Sequence, residues 1–63
     1  MRKDELEMWK INIDNAASRV CSLYGKETVE SVFQRYDAHE FYDLNPCFYA
    51  DVFGDLEMIA NDN

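Results

Sequence analysis

Cys21, His39 and Cys47 are the side chains of this chain best suited to bind a metal or to act as nucleophile and base. A structural zinc site has four ligands and usually includes a close pair such as Cys-x2-Cys, and the sequence contains no such pair. A Cys/His nucleophilic pair also needs a site that stabilises an oxyanion, which no motif indicates. We therefore predict no metal, no cofactor and no catalytic residue. Cys21 is interpreted as a small core residue, Cys47 as a partly buried thiol and His39 as a loop histidine.

Two stripes of residues near the C-terminus are the candidate binding residues. At about 100° per residue, Asp51, Asp55 and Asp62 lie within about 40° of one another on a helix. Ala50 and Gly54 form a separate strip of small residues. A glycine within a helix costs about 1 kcal/mol relative to alanine, and the close approach of another helix is one reason to keep it. The alternative is that Gly54 ends a shorter helix and Asp55 caps a new turn. We predict that these five residues bind a partner.

The net charge of −7 lies entirely in the second half of the chain. Residues 1–35 hold six acids and six bases, whereas residues 36–63 hold seven acids and no Lys or Arg. Such a surface repels nucleic acid and acidic lipid and attracts basic partners. A DNA-reading helix also needs outward Arg, Lys, Asn or Gln side chains, and the last predicted helix has no cation. We therefore predict no direct nucleic-acid binding, and the acidic half is either a binding surface or a means of solubility.

The apolar spacing predicts three helices that position these residues. A first helix over about 4–24 is indicated by apolar residues at steps of three and four, namely Leu6, Trp9, Ile13, Ala16, Val20 and Leu23. A second helix over about 27–37 is indicated in the same way by Val29, Val32, Phe33 and Tyr36. Asn45 as N-cap and Pro46 in the first turn begin a third helix over about 46–60.

These elements predict an all-α fold, a small three-helix bundle forming one domain over residues 1–63. Gly25 should end the long first helix in a left-handed conformation and leave a tight turn before the short second helix. Phe41 and Leu44 should tuck the second connection into the core. The predicted core comprises Leu6, Trp9, Ile13, Ala16, Val20, Leu23, Val29, Val32, Phe33, Tyr36, Leu44, Tyr49, Val52, Phe53, Leu56 and Ile59.

The sequence also suggests where the protein works and that it has a partner. No stretch approaches the roughly 20 apolar residues of a membrane span, and the N-terminus does not resemble a signal peptide, so we expect a cytoplasmic protein. The two cysteines then fit reduced thiols, with a disulfide between helices as the alternative. Four Phe, four Tyr and one Trp exceed what so small a core can bury. That surplus favours a homodimer or a protein partner.

Two segments carry a resemblance to a known group of proteins. Residues 20–29 read V-C-S-L-Y-G-K-E-T-V, and residues 44–56 read L-N-P-C-F-Y-A-D-V-F-G-D-L. Together with the short helix between them, this pattern is similar to small uncharacterised proteins carried on conjugative elements and phages of Gram-positive bacteria. The resemblance covers roughly two-thirds of the chain and brings no catalytic or binding residue with it. It implies a bacterial cytosolic setting and a role in conflict between mobile element and host.

Two functional hypotheses follow from the sequence. The first is a non-catalytic protein-interaction module that self-associates through the surplus aromatic residues and the Ala50/Gly54 strip. The second is an inhibitor whose acidic face imitates nucleic acid and occupies a basic groove on a host enzyme. Neither hypothesis involves a membrane or a small-molecule substrate.

Overall fold

The computed structural model describes residues 2–61 of the chain. The helices, in chain order, are α1 (Lys3–Tyr24), α2 (Lys26–Gln34) and α3 (Tyr49–Asn61), with two 3-10 turns before α3 at Phe41–Asp43 and Pro46–Phe48. No strand occurs within this described part. The predicted all-α three-helix bundle, with a long first and a short second helix, is therefore confirmed.

α1 is the scaffold of the bundle, and α3 runs along it in the same direction. The Trp9 ring lies 6.3 Å from the Tyr49 ring and 6.2 Å from the Phe53 ring, measured between centroids. Further along both helices, the Arg19 guanidinium donates to Glu57 Oε2 at 3.3 Å. Because later residues of α1 meet later residues of α3, the two helices are parallel. α2 runs back in the opposite direction and connects the end of α1 to the segment before α3.

The core is drawn from all three helices and from the connection before α3. Most of the predicted core positions on the three helices are buried or partly buried, and Phe41 and Leu44 anchor the connection as predicted. The buried residues are Ile13, Ala16, Val20, Val32, Phe33, Ala38, Phe41, Leu44, Tyr49, Val52, Leu56 and Ala60. The partly buried residues packed against them include Trp9, Val29, Tyr36, Phe53 and Ile59, all of which were predicted.

Leu6 and Leu23 were predicted to be in the core, and this prediction was wrong. They are 39% and 51% exposed. The reason is the length of α1, which has 22 residues, whereas α2 has 9 and α3 has 13. At about 1.5 Å per residue, α1 is longer than either helix that covers it, so both ends of its apolar seam extend past the core.

α2 ends three residues before its predicted end at Asp37, because Asp37 adopts the left-handed conformation with φ of 58°. The Ala38 N–H donates to Phe33 O at 3.1 Å and the Asp37 N–H donates to Gln34 O at 3.2 Å. This pair of bonds is the Schellman motif, usually built around glycine. Ala38 and Phe33 are both buried, which supplies the apolar contact typical of that motif.

Gly25 is the single residue between α1 and α2. Its N–H donates to Cys21 O at 2.9 Å, and its φ of 99° is positive, as expected of the glycine that ends α1. Its ψ of 164° lies outside the predicted left-handed helical region and in a region almost restricted to glycine. Asn45 is the predicted cap, and its Oδ1 accepts the Cys47 N–H at 3.1 Å. It begins a 3-10 turn, and α3 itself starts at Tyr49.

Candidate functional site: the outer face of the third helix

α3 has one side that packs against the bundle and one that faces solvent. Tyr49, Val52, Leu56 and Ala60 recur at helical spacing and are buried, which turns the opposite side outward. Ala50, Asp51 and Gly54 lie on this outer side and are exposed. The structure therefore brings three of the five predicted binding residues to one surface.

α3 is continuous through Gly54, so the alternative of a helix that ends there is wrong. A Cβ atom added at Gly54 would meet no atom within 4 Å. Within residues 2–61, no other helix approaches the glycine closely. The close approach that the sequence suggested is therefore not supplied by α1 or α2.

Met58 adds an apolar side chain to the small residues of this surface. It is 71% exposed and lies one turn after Gly54, which itself lies one turn after Ala50. A shallow depression of about 610 Å³ is lined by Gly54, Glu57, Met58, Ile59 and Asn61. We name Ala50, Gly54 and Met58 the α3 strip. Sequence reasoning missed Met58, although its four-residue spacing from Gly54 was a usable signal.

Asp55 does not share this surface equally with Asp51. Its carboxylate accepts the Tyr36 hydroxyl at 2.6 Å and lies 3.7 Å from Arg35 Nη1. The carboxylate therefore ties the end of α2 to α3. Asp62 lies outside the described residues.

The hydrogen bond to Asp55 is the main reason that the pKa of Tyr36 is raised, because an ionised phenol could no longer donate to the carboxylate. Burial and the negative charges of Asp55 and Asp51 raise it further, whereas Arg35 lowers it. The predicted acidic stripe is thus divided between an exposed carboxylate, Asp51, and a structural contact, Asp55.

The edge of the α3 strip nearest α1 is polar. Arg19 donates to Glu57 at 3.3 Å and to Asn61 Oδ1 at 3.2 Å, and Asn61 also donates to Glu57 at 3.3 Å. Exposed ion pairs contribute only about 0–1 kcal/mol. This cluster therefore adds little stability, and its main effect is to form a polar boundary to the exposed apolar surface.

The composition predicted more aromatic residues than the core could bury, but most of them are buried or partly buried in the fold. Among the nine rings, only those of Tyr24 and Tyr42 are exposed, at 46% and 76%. The other large exposed apolar residues are aliphatic: Leu6, Met8, Ile11, Leu23 and Met58. Exposed aromatic side chains therefore favour self-association less than the sequence suggested. Exposed aliphatic side chains favour it more.

The residues first considered for chemistry remain apart from this surface. Cys21 and Cys47 are free, exposed thiols, so the predictions of a core cysteine and of a partly buried thiol were wrong. His39 is exposed, and its backbone N–H donates to the Asp43 carboxylate at 3.0 Å. Within residues 2–61, no three His, Cys, Asp or Glu side chains are grouped so that they could hold a metal. The helices of this region include none long and apolar enough to cross a membrane.

No protein-family model, curated protein or solved structure matches the chain. The resemblance of residues 20–29 and 44–56 to proteins of mobile elements therefore stays a prediction.

Proposed function

We propose that this protein is a non-catalytic interaction module that self-associates through the α3 strip. The carrying observation is that an exposed apolar side chain, Met58, lies one turn from the open surface of Gly54. A symmetric dimer needs a surface that is complementary to itself. A protruding methionine beside small residues on the same helix has this property.

The proposed arrangement is a pair of α3 helices that cross near Gly54. Ala50 and Met58 each lie four residues from Gly54, on either side of it. A two-fold axis at Gly54 between antiparallel helices therefore brings Met58 of one copy over Ala50 of the other. Small residues let helix backbones approach closely, so the two helices can cross at Gly54 while each Met58 side chain packs over Ala50 of the other copy.

Solution mass, measured by light scattering at several concentrations and two salt levels, tests this proposal. We expect a mass near 7.4 kDa at high dilution and about twice that value at high concentration. Since each copy carries a charge of −7, added salt should screen the repulsion and strengthen self-association. A mass that stays near 7.4 kDa at every concentration and salt level contradicts the proposal.

The acidic inhibitor is the second candidate function, and it is favoured by the exposure of Asp37, Glu40, Asp43 and Asp51 in a half of the chain without Lys or Arg. Its test is competition with duplex DNA for a basic nuclease. We expect binding that weakens steeply with salt and is reduced by Asp51→Asn, a change that leaves the Asp55 contact to Tyr36 intact. Binding unaffected by salt and by Asp51→Asn contradicts it.

We also propose that the protein works in the cytoplasm. The exposure of both Cys21 and Cys47 supports this, because exposed free thiols persist in a reducing compartment.

A further inference from the structure

A second surface lies between α1 and α2, and none of its lining residues belongs to α3. Two depressions of about 420 and 430 Å³ share Asp14, Ala17, Lys26 and Val29, so they form one continuous groove. One end of the groove is lined by Cys21, and the other end by residues 39–41. We name this surface the α1–α2 groove.

The floor of the groove is apolar. Ala17 and Val29 are half-buried at its centre, and Phe33 and Phe41 lie beneath its far end with only 5% and 7% exposure. Apolar side chains that stay half-exposed at the base of a groove are a site where a ligand's apolar groups can be removed from water.

The rim of the groove is mainly acidic. Asp14, Glu30 and Glu40 line it, against the single cation Lys26. Asp14 is paired with Lys10, whose Nζ lies 2.9 Å from its carboxylate, so Glu30 and Glu40 outnumber Lys26 and leave the rim with one net negative charge. The complementary ligand is therefore apolar on one side and basic at its edges.

We propose that the α1–α2 groove binds a short, basic, amphipathic helix of another protein. α2 has 9 residues, so the groove that follows it is about 13 Å long. This length accommodates two turns of a helix whose apolar side chains recur at i, i+4 and i+7, which is a common mode of peptide recognition. The α3 helix of a second copy is a poor occupant, because it contains no Lys or Arg to match the acidic rim.

The probe is a Leu/Lys peptide of about 14 residues with leucines at helical spacing, and the control peptide has the same composition in scrambled order. Binding is monitored through the rate at which iodoacetamide alkylates the two thiols, which is measured by mass spectrometry. Cys21 lines the groove and Cys47 does not, and both are exposed. We expect the amphipathic peptide to slow alkylation of Cys21 several-fold and to leave Cys47 unchanged. Equal protection of both thiols, or equal protection by the scrambled peptide, overturns the proposal.

Matched variants separate docking in the groove from general attraction to an acidic protein. Glu27 and Glu30 are both exposed on α2, but only Glu30 lines the groove. Glu30→Gln should weaken peptide binding about two- to five-fold, as expected for one exposed ion pair, and Glu27→Gln should have a smaller effect. Equal effects of the two changes overturn the proposal, because they show attraction by net charge alone.

A second pair of variants distinguishes this inference from the proposed self-association. Ala17→Gln places a longer side chain in the groove, and Ala50→Gln places the same side chain on the α3 strip. Ala17→Gln should abolish protection of Cys21 by the peptide and leave the solution mass unchanged. Ala50→Gln should do the reverse. Peptide protection that survives Ala17→Gln in a folded variant overturns the groove proposal, whatever the result for self-association.

Discussion

Replacing Gly54 by alanine should stabilise the monomer, because the glycine is in the exposed interior of a continuous helix. A Cβ atom at this position meets nothing within 4 Å, so the methyl group enters without a clash. Alanine is favoured over glycine within a helix by about 0.8–1.0 kcal/mol. For a domain of this size, that gain corresponds to a rise in Tm of about 4–8 °C. We expect this rise in thermal unfolding followed by circular dichroism, at a concentration where the protein is monomeric.

The control for this prediction is the reverse change one turn earlier. Ala50→Gly lies on the same exposed face of α3 and should also lower Tm, by less than Gly54→Ala raises it because Ala50 is in the first turn of the helix. A third variant, Gly54→Leu, keeps a good helix former but fills the open surface, so it should remain folded and lose self-association. If Gly54→Ala lowers the Tm of the dilute monomer, then the outer face of α3 is covered by another part of the chain. That result would refute both the monomer geometry and the proposed role of the strip.

Three further changes test the turns and contacts that connect the helices. Gly25→Ala should destabilise the protein by about 1–3 kcal/mol in urea unfolding, because a φ of 99° with a ψ of 164° is almost restricted to glycine; an unchanged midpoint would contradict the assigned conformation. Asp37→Val should cost about 1–3 kcal/mol, because a β-branched residue tolerates a φ of 58° poorly, whereas Asp37→Gly should cost little; equal losses would argue against a left-handed residue there. Tyr36→Phe should lower the stability of the protein at neutral pH. The variant should also lose less stability than the parent protein when the pH is raised into the alkaline range. The raised pKa of Tyr36 means that its stabilising effect is complete below about pH 10, the unfolded value, and is lost as the pH rises through the folded pKa. Parallel pH–stability curves for Tyr36→Phe and the parent protein would contradict this assignment.

The class of fold was predictable because periodic burial of apolar residues decides it. Ile13, Ala16 and Val20 recur on one face of α1 and are all buried. The same spacing continues to Leu6 and Leu23, which are exposed, because burial depends on how far the other helices extend beside each turn. How far α2 and α3 extend beside α1 is a property of the assembled bundle, so it cannot be predicted from the apolar spacing along α1.

The ends of elements and the candidate site were predictable only in part. Asp and Asn are the non-glycine residues most tolerant of positive φ, so Asp37 was a candidate helix end, and the buried pair Phe33 and Ala38 was its supporting signal. Gly54 could have broken α3 or continued it, and only the packing of the turns on either side against α1 decides this. The contact of Asp55 with Tyr36 joins α3 to the turn that follows α2, so neither segment alone carries a signature of it.

The turn at Gly25 also bears on how copies of this chain could exchange parts. One residue separates Lys3–Tyr24 from Lys26–Gln34, so a helical conformation at that residue would join α1 and α2 into a single long rod. Such a rod would carry α2 and everything after it away from its own α1 and towards the α1 of a neighbouring molecule. The result is a domain-swapped dimer that preserves every packing contact of the monomer except the turn itself. The non-helical backbone of Gly25 is therefore one of the features that keep α2 packed against its own α1.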